Sequence, residues 1–384
     1  MKKIFALLLV ICILITPAVY AEEYNSYKEI KIGLFFGESA LESVELKSEG
    51  GFNICFGEVK NFTYHYSMLE EEMEVKISGE TDYKLGPNFY SAKSGQVAIR
   101  PARGRIWVNG KEYRGFIYLR RENGGNMTVI NVIDIESYLY SVVGKEMSPS
   151  FGIEALKAQA VCARTYTIMN IGKYKDYGFD LCTTQASQVY GGVAAEYPST
   201  KRAVQETTYK VVRYNGKPCS VYYFASSGGV TESVENVWGT PYPYLKSVED
   251  TYENPEEATK SSWSVTFTKE EIKEKLAAKD VEIGDIVDIK ITQTSSTGRV
   301  TEIVFYGTEG EKSWKNERAR TVLSLSSQMY EIVRDEENED IYTFEGKGWG
   351  HAVGMSQWGA KAMADNGFTY DEIIKWYFTG VEVY

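Results

Sequence analysis

Residues 154–170 leave a folding chain the fewest choices. Read as a helix, they place Leu156, Ala160 and Ala163 on one face and Cys162, Tyr166 and Met169 on another, while Lys157 and Arg164 share a third. A helix apolar nearly all round has no side to give to water, so it belongs at the centre of a packed structure. Its alanines permit close approach of neighbours. A second periodic run, 135–143, precedes it, and the loop between them (142–149) carries a carboxylate, Glu146.

The patterns on either side differ. Before residue 125, Ile30, Ile32, Leu34 and Phe36 alternate, as do Val97 with Ile99 and Ile106 with Val108, in short runs cut by Gly, Pro and Asn-Gly. Asn109-Gly110 predicts a hairpin, and Gly124-Gly125 predicts another leading into a strand at 127–132. Further on, strand-like runs occur at 211–214 and 221–224. Thr268 with Glu271 predicts a capped helix, and runs at 286–291 and 300–306 flank a Ser-Thr-Gly turn. Acidic residues 335–340 read as a solvated linker. Two tail helices follow: 359–365, then one capped by Thr369 with Glu372 that buries Ile373, Trp376 and Tyr377. The expected fold is α+β: a β-rich leading region at 22–125, a helical core at 126–260 with a central buried helix, an inserted small α+β unit at 261–334, and the rest of the core at 335–384. A length of 384 residues suits two or three compact units.

The first 21 residues predict a secretory signal: Lys2 and Lys3, an apolar run from Ile4 to Ile15, a break at Pro17 and small residues at Val19 and Ala21. An uncleaved anchor is the alternative, although Glu22 and Glu23 follow at once and the run is short for a span of roughly 20 residues. The expected location is the cell envelope or the extracellular side of the membrane. Loss of the two lysines takes the formal charge from −11 to −13, which repels phosphate backbones and argues against a nucleic-acid partner. Cys55, Cys162, Cys182 and Cys219 lack CxxC spacing and read as small buried side chains.

Four clusters could carry chemistry. Glu146 is either a carboxyl in an apolar pocket, with a raised pKa and a proton to donate, or a surface acid near a helix amino terminus. The 183–192 loop, with Gln188 and Tyr190, is either a hydrogen-bonding wall for sugar hydroxyls or an ordinary polar loop. The paired glycines after Ser226 and Ser227 admit a ligand to the backbone or make a tight turn, and they lack the Gly-Lys-Ser/Thr of a P-loop. The 346–360 cluster holds His351 and Gln357 among glycines, and its Gly354-x-Ser356-x-x-Gly359 spacing misses a nucleophile elbow by one residue. With only His65 and His351 and no HExxH, metal hydrolysis has little support. A usual glycosidase needs two carboxyls across the scissile bond, and no second one stands out.

Taken in order, these strings resemble the SpoIID/LytB family of stage II sporulation protein D and amidase enhancers. They are the 129–147 string ending Val-Val-Gly-Lys-Glu-Met, the 154–166 string Glu-Ala-Leu-Lys-Ala-Gln-Ala-Val-Cys-Ala-Arg-Thr-Tyr, Gln-Val-Tyr-Gly-Gly at 188–192, Ser-Ser-Gly-Gly at 226–229 with Val237-Trp238, and Gly-Trp-Gly-His-Ala-Val-Gly-Met-Ser-Gln-Trp-Gly-Ala at 348–360. The resemblance implies a peptidoglycan lytic transglycosylase acting on peptide-free glycan strands, with Glu146 as its acid. It also implies that Arg164, and Lys246 or Asp250, help form the groove; the candidate substrate contacts are these with Gln188, Tyr190, Ser226, Ser227, His351 and Gln357. The alternative is a non-enzymatic enhancer of an N-acetylmuramoyl-L-alanine amidase. A purely structural envelope protein would account for the tyrosines but not for the glycine-histidine cluster. Expected partners are glycan strands, with a cell-wall amidase or other envelope proteins. Some members bind zinc through a cysteine and a histidine before Gln-Val-Tyr. Here Cys182 is present, but Ala186 and Ser187 stand where the histidine would be, so neither a metal nor another cofactor is expected.

Overall fold

The computed structural model describes residues 29–56, 63–78, 82–91, 96–122, 124–259, 261–335 and 337–384, so the expected leader lies outside the described residues. The chain is α+β, as expected. It divides into two compact units, Met1–Ser150 with Ala163–Lys210, and Phe151–Cys162 with Val211–Tyr384.

The first unit is built on strands. A seven-stranded sheet runs Leu181–Cys182, Glu29–Phe35, Met127–Asp134, Phe116–Arg121, Gln96–Pro101, Phe52–Phe56, Thr63–Met68. A six-stranded sheet runs Lys111–Tyr113, Ile106–Val108, Ser43–Ser48, Glu72–Ser78, Asp82–Leu85, Asn88–Ser91. Both expected hairpins form, with Asn109 and Gly110 at positive φ (47° and 78°) in the first. The second hairpin returns Met127–Asp134 into the sheet between Glu29–Phe35 and Phe116–Arg121. The chain therefore crosses the expected 125/126 boundary inside one sheet. Met127 through Ile133 are all buried, the continuous pattern of a strand covered on both faces. Asp134 ends this strand, and its carboxylate accepts the Ser137 N–H (3.1 Å) to cap the helix Ile135–Glu146.

The helix Ile153–Met169 is buried much as its composition demands. Ala155, Leu156, Ala158, Gln159, Ala160, Val161, Cys162, Ala163, Arg164, Thr165 and Thr167 have no exposure. Its residues through Cys162 count with the second unit and those from Ala163 with the first.

In the second unit, Thr268 and Glu271 form the expected capping box on the helix Lys269–Ala277. Strands Ile286–Thr294, Val300–Gly307 and Gly310–Lys315 make one antiparallel sheet, and Ser262–Thr268, Ile341–Lys347 and Tyr330–Arg334 make another. These elements share a hydrophobic core containing Ile272, Leu276, Ile303, Phe305, Tyr342 and Phe344. The inserted unit thus extends past the expected limit at 334. Residues 335–340 are a correction to the reading as a linker, since they connect two paired antiparallel strands. The alternation in Ile341–Lys347 sends Tyr342 and Phe344 into the core and explains the pairing.

The tail helices are Gln357–Asp365 and Tyr370–Tyr377, the second with the expected Thr369–Glu372 box. Trp376 is a second correction: it is 36% exposed, while Ile373, Ile374 and Tyr377 take the buried stripe. Its ring meets Tyr252 edge-on instead (5.3 Å). All four described cysteines are free and buried.

Phe344→Ala removes a ring with no exposure from the inserted core and is expected to cost about 3–5 kcal/mol, read from urea unfolding. A loss below about 1 kcal/mol would mean that this strand does not belong to that core.

Candidate functional site

Glu146 is the last residue of the helix Ile135–Glu146, not a residue near a helix amino terminus. That end carries the negative pole of the helix dipole, which disfavours a carboxylate. The side chain is half-buried, and Oε1 accepts a hydrogen bond from the Val189 N–H (2.7 Å). Burial pushes the Glu146 carboxyl above its ordinary range, and the Val189 N–H offsets part of that rise.

The loop that supplies this N–H is held from inside. Gln188 is 1% exposed: its Oε1 accepts from the Thr167 hydroxyl (2.8 Å) and its Nε2 donates to the Ala163 carbonyl (3.2 Å). The Tyr190 hydroxyl donates to Asn131 Oδ1 (2.9 Å), and its ring packs on Tyr138 at 5.0 Å. Gly191 N–H donates to Ser141 Oγ on the Glu146 helix (3.0 Å). A Cβ on Gly144 would lie 2.2 Å from the Ala195 carbonyl, so this helix meets the Val193–Ala195 turn that follows the loop only because residue 144 is glycine. Both expected sugar contacts of this loop are therefore internal props. Their effect is to place the Val189 N–H on Glu146.

Arg164 has no exposure and is also internal. Its Nε and Nη2 grip the two oxygens of Glu136 (both 2.7 Å), and Nη1 donates to the Lys210 carbonyl (3.1 Å). Removing the guanidinium takes both of these hydrogen bonds from Glu136.

Cys182 Sγ lies among the hydroxyls of Thr184 (3.3 Å), Ser187 (3.4 Å) and Tyr174 (3.5 Å). Burial raises its pKa, but hydrogen bonds from Ser187, Thr184 and Tyr174 bring it below the ordinary thiol value. One thiol among hydroxyls does not fit a zinc ion, which takes imidazole, thiolate and carboxylate ligands.

In the second unit, the expected residues gather on a carboxylate that the sequence did not single out. Glu253 Oε2 accepts from Ser227 N–H (2.8 Å), Ser227 Oγ (2.9 Å) and Ser356 Oγ (2.7 Å), and Oε1 accepts from Ser226 Oγ. Ser226 and Ser227 are buried, and their hydroxyls face Glu253 rather than an open surface. Glu253 stands in a polar stretch that reads as surface, and only the fold reveals its role. Asp250, 2% exposed, accepts from the Tyr377 hydroxyl (2.9 Å), while its Oδ2 has no partner among the described residues. Burial, with Glu253 alongside, raises the Asp250 carboxyl to about 6. Gln357 Nε2 donates to Gln159 Oε1 (3.3 Å).

His351 is packed among the rings of Trp238 (5.0 Å) and Phe224 (5.5 Å), and its Nδ1 accepts from Val353 N–H (3.0 Å). Burial pushes its pKa down to about 4, so the imidazole is neutral at pH 7. Lys246 pairs with Glu235 at 3.1 Å on the surface. The expected residues thus form two groups, Glu146 with Gln188 and Tyr190 in one unit, and Ser226, Ser227 and Asp250 around Glu253 in the other.

Two outcomes follow. Arg164→Met is expected to destabilise the fold by about 1–3 kcal/mol in urea unfolding, because it takes two charge-assisted hydrogen bonds from the half-buried Glu136 carboxylate and a donor from the Lys210 carbonyl. For Asp250, the unfolded carboxyl titrates near 3.8 and the folded one near 6, so the folded state holds a proton that the unfolded state has lost between them. That contribution is complete below 3.8 and disappears as pH rises through about 6. Asp250→Asn should flatten the decline in urea midpoint between about pH 4 and 6; an unchanged slope would assign it to another group.

Comparison with known proteins bears on both groups. Residues 123–214, which hold Glu146, Arg164, Gln188 and Tyr190, match a family described as stage II sporulation protein (SpoIID). Residues 252–354 match a domain of unknown function. The chain is 37% identical to an uncharacterised protein of Brachyspira hyodysenteriae, over 85% of this chain and 88% of that one. It is 28% identical to the amidase enhancer of Bacillus subtilis, over 83% of this chain but only 54% of that protein's length. With stage II sporulation protein D of Bacillus subtilis the identity is 35%, over 67% of this chain and 76% of that protein. On that likeness and the match at 123–214, the chain belongs to the SpoIID family.

Proposed function

We propose that this protein is an exported enzyme of the cell wall, a lytic transglycosylase that cuts between N-acetylmuramic acid and N-acetylglucosamine in peptide-free glycan strands. The observation that carries this reading is the setting of Glu146: a half-buried carboxyl at the carboxy-terminal end of a helix, held by one N–H on Oε1. Burial and the helix end both favour the protonated acid, and with Oε1 engaged the proton resides on Oε2.

A single carboxyl suffices for this reaction. Glu146 gives its proton to the bridging oxygen as the bond from that oxygen to the muramyl C1 breaks. The resulting carboxylate accepts the proton of the muramyl 6-hydroxyl as O6 bonds to C1, and a 1,6-anhydro end is left. The substrate supplies the nucleophile, so no second carboxylate has to activate water. The role follows the resemblance to family members, and the setting of Glu146 supports it.

The amidase enhancer among the relatives supports a second reading, in which the protein binds the wall and stimulates a separate amidase. Mass spectrometry of peptide-free strands incubated with wild type and Glu146→Gln separates the two. The enzyme reading expects anhydro-ended fragments, reduced about 10²–10⁴-fold by the amide. Intact strands with a faster amidase would replace it with the enhancer reading. Because Glu146 must be protonated to act, cleavage is expected to fall as pH rises through its elevated pKa, placing the alkaline limb above the ordinary carboxylate range.

A further inference from the structure

Within the segment that matches a domain of unknown function, a second side chain besides Glu253 reaches the Ser226–Gly229 turn. Arg299 stands in the hairpin between strands Ile286–Thr294 and Val300–Gly307 and is 1% exposed. Its Nη2 donates to the carbonyls of Ser227 and Val230, both at 2.6 Å, and its Nη1 to Thr297 Oγ1 (3.2 Å). The hairpin is itself anchored: Ser295 and Thr297 hydroxyls donate to Glu232 Oε2 (2.5 and 2.6 Å). Glu253 holds Ser227 through its N–H and its hydroxyl.

A trans peptide unit is planar, so its carbonyl and the next N–H point in opposite directions. Tying the Ser227 carbonyl to Arg299 therefore sets the direction of the Gly228 N–H, away from the guanidinium. Gly228 has φ +67°, is half-buried, and its N–H has no hydrogen-bond partner among the described residues. Two carboxylates stand beside this turn, Glu253 on Ser226 and Ser227 and Glu232 on the Arg299 hairpin, while Asp250 joins Gly229 through its main-chain N–H, and Arg299 is the guanidinium bonded to the turn. That balance disfavours an anionic ligand and suits a neutral acceptor.

We propose that Arg299 is a positioning residue: through the Ser227–Gly228 peptide plane it presents the Gly228 N–H to the acetamido carbonyl of an N-acetylated sugar. The inserted unit then serves to set the geometry of a glycan-binding turn. The ligand class rests on the glycan reading above, whereas the geometry of the clamp does not.

The test uses the Glu146→Gln chain, labelled with 15N-glycine and titrated with peptide-free glycan strands, so that binding is read without cleavage. The Gly228 amide proton is expected to move downfield at saturation. Arg299→Lys keeps the charge but loses the fork, and should weaken strand binding at least about tenfold, measured at a urea concentration and temperature where both chains are folded. The amide titration keeps Arg299 in place and so stands even if a variant folds poorly. Strands that bind with the Gly228 resonance unmoved, or with equal affinity in Arg299→Lys, overturn the assignment and leave the glycan reading standing. Strands that do not bind at all remove both.

Discussion

The helix Ile153–Met169 is almost wholly buried between Ala155 and Thr167, and much of the structure answers to that constraint. Each polar group it carries inward must find a partner, since an unpaired buried group costs about 1–3 kcal/mol. Arg164 takes both oxygens of Glu136. Gln159 Oε1 accepts from Gln357, while its Nε2 has no partner among the described residues. The Ala163 carbonyl and the Thr167 hydroxyl take the amide of Gln188, and the next residue gives its N–H to Glu146. The setting of the candidate acid is thus a consequence of how a buried helix satisfies its own polar atoms.

The motif residues share one habit. Gln188, Tyr190, Ser226 and Ser227 carry the functional groups expected to meet a sugar, yet all four are buried and spent on the protein itself. What they fix is backbone: Gln188 anchors the residue next to the Val189 N–H in one unit, and in the other Ser227 is held on Glu253 and accepts the Gly229 N–H. Side chains fixed this way cost entropy once, during folding, and leave the backbone donors preorganised. The two raised carboxyls differ in the same terms. Glu146 keeps one donor and a partly open side, whereas Asp250 is enclosed beside a second carboxylate.

Much of the fold was legible in the residues. The Asn109-Gly110 hairpin, the Thr268 and Thr369 caps, the buried helix and the α+β class all follow from local chemistry, because turns, caps and periodicity depend on neighbours in sequence. The sheet partners of 127–134 and the strand at 341–347 were not legible in that way. Strand pairing joins residues far apart, and an acidic turn between strands has the same composition as a linker.

For the candidate site, the residue types determined which chemistry was open: a lone carboxyl beside a buried helix, no histidine set for a metal, and glycine-rich turns. Only the tertiary structure decided what each group faces. It put Glu146 at the adverse end of a helix dipole, turned Arg164 onto Glu136, and gathered three serines on Glu253. Burial and hydrogen-bond partners are properties of the packed chain, set by residues 103 positions apart in the Ser356–Glu253 bond and 198 apart in the Gln357–Gln159 bond, and no local pattern encodes them.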